Sequence, residues 1–242
     1  MRTAYRERLD NFSHDLIVMC DKVEQMLGLA TSGLLDSDLQ AAEETLSTRD
    51  DLEVIRLRCE ERAVRLLALE NPLATDLRQV VSSIYIVEDL NRMGKLANHV
   101  AKAARRRHPE TAIPTEYLGY FRELARLCTD LLHQTRELLI NPDADSALAL
   151  REDDDAIDDI NEHIMTILTL RDWPGTAREA VDMALLCRFY ERFADHAVNV
   201  SSRIVYLTTG LQPDQYLAKK DEASRKEQIE LRFADLERQF RR

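Results

Sequence analysis

Glycine, proline and tryptophan are scarce: six, six and one in a chain of 242 residues. Few turn-formers and a dominance of Leu, Ala, Glu, Asp and Arg point to long helices. No stretch alternates apolar and polar residues over more than a few positions, which excludes a sheet. No uncharged apolar run approaches the roughly 20 residues that span a bilayer, and "MRTAYRERLDNF" at residues 1–12 lacks the apolar core of a signal peptide. The expectation is a cytoplasmic protein without membrane insertion. Cys20, Cys59, Cys128 and Cys187 form no C-x-x-C pair and fall on apolar helix faces, so buried free thiols are expected. Basic excess is absent too. A formal charge of −11 argues against nucleic-acid backbone binding. The basic run Arg105, Arg106 and Arg107 ends a predicted helix, where cations suit the macrodipole. There is no P-loop, G-x-S-x-G or Ser/His/Asp set at helical spacing, so no enzymatic activity is expected.

What is present is nearly unbroken helical periodicity. Breaks at "LLDSDLQ" (34–40), "ENPLATDLR" (70–78), "RHPETAIPTEY" (107–117), "NPDADSA" (141–147) and "DWPGTA" (172–177) predict helices near 3–34, 38–69, 74–106, 116–140, 145–171 and 177–209. Asp36 or Ser37 is the expected cap of the second helix and Thr176 that of the sixth. A tail helix is expected near 214–240.

The six helices form two sets of three. "LNRMGKLANHV" at 90–100 and "YERFADHAVNV" at 190–200 share an apolar frame, with Leu90 matching Tyr190, Met93 matching Phe193 and Ala97 matching Ala197. The preceding helices open on acids, "TRDDLEVI" at 48–55 and "REDDDAIDDI" at 151–160. The expected architecture is all-α, two tandem three-helix bundles related by internal duplication, with repeats at 1–107 and 116–210 and a helical extension at 213–242.

Glu191 and Asp195 lie four apart and project from one helix face, as do Asp154 and Asp158 on the helix before. Like charges at this spacing cost a few tenths of a kcal/mol per pair. A multivalent cation held by carboxylate oxygens would offset them. A solvated acidic face, or an ion-pair network completed by Arg188 or Arg192, is the alternative. A carboxylate-bridged di-metal oxidase needs Glu-x-x-His on two helices, and no such tetrad occurs; "DLLH" at 130–133 is the nearest approach. His196 points about 100° around the helix from Asp195 and is expected at the helix surface or in an interhelical hydrogen bond.

The duplicated arrangement, "NPLATDLR" at 71–78, "YERFADHAVNV" at 190–200 and "VYLTTG" at 205–210 together resemble the PhoU family, in its actinobacterial branch, over residues 1–210. The resemblance implies a cytoplasmic, often homodimeric helical protein. It further implies a negative regulator of phosphate uptake and of the phosphate-starvation response, joining the phosphate ABC transporter ATPase to a phosphate-sensing histidine kinase. A generic helical adaptor unrelated to phosphate shares the fold and remains the alternative. The resemblance also implies an E(D)-x-x-x-D metal signature on the second and third helix of each half, for iron, zinc or nickel in a divalent or trivalent state. Asp154, Asp158, Glu191 and Asp195 carry it in the second half. The first-half counterparts are Arg49, Glu53, Asn91 and Lys95, a degenerate set in which Lys95 is expected to approach Glu53 as an ion pair.

In the tail, Ile229, Phe233, Leu236 and Phe240 make one apolar stripe, expected to pack on the chain's own bundle or on a partner subunit.

Overall fold

The structure, a computed structural model, describes residues 2–69, 72–151, 155–170 and 172–240. Among these the chain is helical: α1 (Arg2–Leu35), α2 (Leu39–Leu69), α3 (Thr75–Arg107), α4 (Leu118–Ile140), α5 (Ala144–Leu150), α6 (Asp155–Leu170), α7 (Ala177–Thr209) and α8 (Pro213–Phe240), with one 3₁₀ turn at Thr115–Tyr117. The expected single helix at 145–171 is instead described as α5 and α6. Its apolar frame does not register the division, because buried Ala147, Leu150, Ile157 and Ile164 keep one period of three, seven and seven through both segments.

Helix ends follow local chemistry. Thr176 caps α7 as expected, its hydroxyl accepting the Glu179 amide at 3.2 Å while Glu179 Oε2 accepts the Thr176 amide at 2.7 Å, a reciprocal capping box. Gly210, at φ 75°, closes the same helix in the left-handed region that glycine enters without a Cβ penalty. Before α2 the cap is Asp38, not Asp36 or Ser37: its Oδ1 accepts the Ala41 amide at 3.0 Å.

The repeated frame has a plain structural meaning. Ile86, Leu90, Met93, Ala97, Val100 and Ala104 are buried on α3, and so are Leu186, Tyr190, Phe193, Ala197, Val200 and Ile204 on α7. α3 packs on α1, α2 and α7, whereas α7 packs on α3, α4, α5 and α6. The two long helices thus form the spine, each gathering its own bundle and meeting the other. The apolar core runs continuously from α1 to α7. All four cysteines are free and buried, and burial raises each thiol's pKa, to about 12 for Cys20, Cys59 and Cys187.

Duplication is not identity. Where α7 has Ala194, α3 has Gly94, and a Cβ there would stand 2.3 Å from Leu52 Cδ2 of α2. Gly94→Ala is expected to destabilise by about 1 kcal/mol, as overpacking of about 1–3 kcal/mol exceeds the roughly 1 kcal/mol that alanine contributes to helix propensity. Urea unfolding of Gly94→Ala, Leu52→Ala and the double variant checks this. The double should be less destabilised than the sum by at least about 0.5 kcal/mol.

For α8 one of the two expected packings drops out. Its first turns are tied to the bundle by Tyr216 Oη and Lys220 Nζ on Asp145 Oδ1, at 3.1 and 2.8 Å, and by Arg151 with Asp214 at 3.6 Å. Beyond them, Ile229, Phe233, Leu236 and Phe240 are exposed, Phe233 to 62% and Phe240 to 86%. The stripe therefore does not pack on the chain's own bundle.

Candidate functional site

Asp158 leaves the first turn of α6, while Glu191 and Asp195 leave the middle of α7, the helix on which α6 packs. Tyr190, Phe193 and Ala194 are buried around them, so the core-facing stripe of α7 fixes the direction of its acidic face. Partial burial, and then the negative charges of Glu191 and Asp195, push the Asp158 carboxyl above the usual carboxylate range. The three expected acids are thus brought into one electrostatic neighbourhood. Asp154, the fourth, lies outside the described residues.

This set has a counter-cation. Arg188, one turn before Glu191, donates Nη1 to Glu191 Oε1. That hydrogen bond first, and then the charges of Glu191, Asp195 and Asp158, raise the arginine's pKa. Asn161 of α6 donates to the other oxygen, Glu191 Oε2, at 2.7 Å. Both oxygens of Glu191 are therefore engaged by protein donors. Among the described residues, no three His, Cys, Asp or Glu side chains converge closely enough to hold a metal ion.

In the first half, the hydrogen bonds to Glu53 come from its own helix, while Lys95 acts on it through its charge. Arg56 donates Nε and Nη2 to Glu53 Oε1 at 3.0 and 2.8 Å, and its Nη1 reaches Glu60 at 3.2 Å and Glu88 at 3.6 Å. The Arg56 hydrogen bond is the main reason the Glu53 carboxyl lies below its usual range; Lys95 and Arg49 add to it through their charge alone. Asn91 is buried and Lys95 half-buried, while Arg49 is exposed. Arg56 won the carboxylate because an i,i+3 partner on the same helix needs no particular interhelical distance. That spacing, like Arg188–Glu191, was visible in the sequence.

The two networks are related by a charge exchange. Arg56 of α2 stands where α6 has Asn161, and Glu88 of α3 stands where α7 has Arg188. The first half thus draws its cation from its second helix and the second half from its third. The first network carries one arginine among three carboxylates, Glu53, Glu60 and Glu88; the second sets Arg188 against Asp158, Glu191 and Asp195.

The interface between the halves lies beside these networks. His196 Nδ1 meets Asp89 Oδ1 at 2.9 Å, joining α7 to α3 as the interhelical bond expected of it. His99 stacks on Phe189 with ring centroids 5.1 Å apart, and Arg203 lies 4.0 Å over the Tyr85 ring. The arginine run does more than suit a helix dipole. Arg106 Nη2 and Arg107 Nε grip the two oxygens of Asp182 at 2.7 and 2.5 Å, and Arg105 reaches Glu43 at 3.5 Å.

Comparison with known proteins agrees with this duplicated geometry. The PhoU domain matches residues 16–104 and again residues 121–204. The chain is 46% identical over 213 residues to the phosphate-specific transport system accessory protein PhoU homolog 2 of Mycobacterium bovis, which covers 88% of this chain and all of that protein. It is 44% identical to PhoU homolog 1 of Mycobacterium leprae, over 88% of this chain and 96% of that one. The crystal structure of PhoU from Pseudomonas aeruginosa superposes with a TM-score of 0.78 at 26% identity, covering 86% of this chain and 100% of that one. Two matched domains, placed on the two bundles that α3 and α7 organise, establish that the chain belongs to the PhoU family.

Proposed function

We propose that this protein is a non-enzymatic accessory regulator of phosphate transport, which restrains uptake and the phosphate-starvation response by docking on the transporter ATPase and on the sensor histidine kinase in the cytoplasm. The observation that carries this reading is the match over the full length of a relative named as a phosphate-specific transport system accessory protein. Fold alone would not license it; identity of 46% on both repeats does more than fold. No helix among the described residues is long and apolar enough to cross a membrane, which suits an adaptor that acts on membrane proteins from outside the bilayer. Deletion of the gene is expected to switch on phosphate-starvation genes in phosphate-rich medium, and the tagged protein is expected to co-purify with the ATPase or the kinase. Normal repression in a deletion strain that holds no second copy would sink the reading.

The acidic cluster is the second part of the proposal. Asp158, Glu191 and Asp195, with Asp154, supply hard oxygen donors of the kind that iron in either common state accepts. Desolvation first, and then the charges of Glu191 and Asp195, hold the Asp158 carboxyl above its usual range, and a cation would offset both. In its absence Arg188 is the resident counterion, and metal entry requires that Arg188 release Glu191. Metal binding is therefore proposed for the second half alone; in the first, Arg56 neutralises Glu53 from within its own helix.

A further inference from the structure

The apolar stripe of α8 has a register as well as a direction. Ile229, Phe233, Leu236 and Phe240 recur at intervals of four, three and four, which are successive d, a, d and a positions of a heptad. All four are exposed, and the bundle contacts described above end near Lys220, about 13 Å of helix before the stripe begins. At the two preceding seam positions stand Glu222 and Lys226, paired with each other at 2.6 Å within the helix, so the apolar seam opens at Ile229.

The flanking positions say what covers it. In this register Arg225 and Arg232 occupy g, and Glu230 and Glu237 occupy e. In a parallel, in-register pair of helices each g residue lies beside the partner's e residue five places on. Arg225 then faces Glu230 on both sides of the seam, and the g and e positions 232 and 237 repeat the same opposite charges in the sequence. In an antiparallel pair, g meets g and e meets e. Arginines would oppose arginines and glutamates would oppose glutamates, which is destabilising.

We propose that α8 is a homotypic interaction element: the tails of two copies of this chain pair as a parallel two-stranded coiled coil over residues 229–240. The seam is about 17 Å long, too short to hold as an isolated peptide. It is instead the end of a 28-residue helix anchored on a folded bundle, so any other contact between the two copies raises the effective concentration of the tails. Charge selects the partner: the e and g pattern is complementary to itself in one orientation only.

The test uses the full chain with single cysteines introduced in the seam, since the native cysteines are buried. Under mild oxidation, Ile229→Cys and, separately, Phe240→Cys are each expected to give disulfide-linked dimers. An antiparallel pair would set residue 229 opposite residue 240 and link a mixture of the two variants, but neither alone. A second arm reads the charges in the Ile229→Cys background. Arg225→Glu with Arg232→Glu, and separately Glu230→Arg with Glu237→Arg, are expected to reduce cross-linking at least tenfold. Mixing these two variants should restore it, because every e–g contact between them is again opposite in sign. Cross-linking only in the mixture of 229 and 240 variants, or none in either arm, would overturn the proposal. So would cross-linking indifferent to both charge variants.

Discussion

Replacing Arg106 and Arg107 together by alanine is expected to destabilise the fold by about 3–5 kcal/mol. Asp182 is 3% exposed in the first turns of α7, and each of its oxygens is held by one of the two guanidinium groups at the end of α3. Arg107 is itself 11% exposed, so the pair it makes is screened little by solvent. Removing both cations strands a carboxylate in the joint between the halves. The cost lies in that uncompensated charge more than in the lost attraction. Adding Asp182→Leu to the double variant should therefore recover most of the stability, since apolar replacement of a whole buried ion pair is often neutral. Urea unfolding of the double and triple variants separates the two origins. Equal instability of both would show that arginine packing, not the stranded charge, dominates.

The same cluster shows where sequence reading stops. The helical frame on α3 and α7 was legible because apolar spacing is local: Leu90, Met93 and Ala97 and their counterparts one hundred residues on needed no partner to be recognised. The role of Arg106 and Arg107 was not, because Asp182 is 75 residues away from Arg107 and only tertiary packing brings them together. The division of α5 from α6 was hidden for the opposite reason, a shared period that continues through it. In the tail the stripe was legible but its surroundings were not. Periodicity tells which face is apolar, whereas the absence of self-packing depends on where α8 leaves the bundle. At the acidic sets the alignment of the repeats paired Glu53 with Lys95 by analogy with a shared ion, and Lys95 does act on that carboxylate through its charge. The i,i+3 arginine, a donor on the same helix that the alignment did not weigh, supplies the hydrogen bonds.

The exchange of Arg56 for Asn161 and of Glu88 for Arg188 suggests how one duplicated scaffold came to hold two differently charged networks, and it changes what is needed to convert one into the other. The pair Asn91→Glu with Lys95→Asp restores the acids of the third helix, but it leaves Arg56 on Glu53. Adding Arg56→Asn, the residue that α6 carries at the equivalent position, frees Glu53 while keeping an amide in place.

The asymmetry between the halves is expected to appear most strongly in metal binding. Titrated with iron after purification without chelator, the chain should take up metal at the second-half cluster only, and Glu191→Ala or Asp195→Ala should weaken that binding at least tenfold, about 1.4 kcal/mol. Arg188→Ala should do the reverse. Arg188 competes for the Glu191 oxygen that a metal requires, and its positive charge lies within the field of Asp158 and Asp195 as well. Because the arginine is about half exposed, its charge is partly screened, and a gain of about tenfold in affinity is expected rather than the several kcal/mol of an unscreened contact. An ion-pair network with no metal function predicts the opposite pattern, in which Arg188→Ala loses stability and no variant binds. The first half provides the control. Asn91→Glu with Lys95→Asp should bind little, and the same variant with Arg56→Asn should gain a second site. Equal loading of both halves in the unaltered chain would refute the asymmetry, and absence of binding in both the unaltered chain and Arg188→Ala would reject the metal assignment itself.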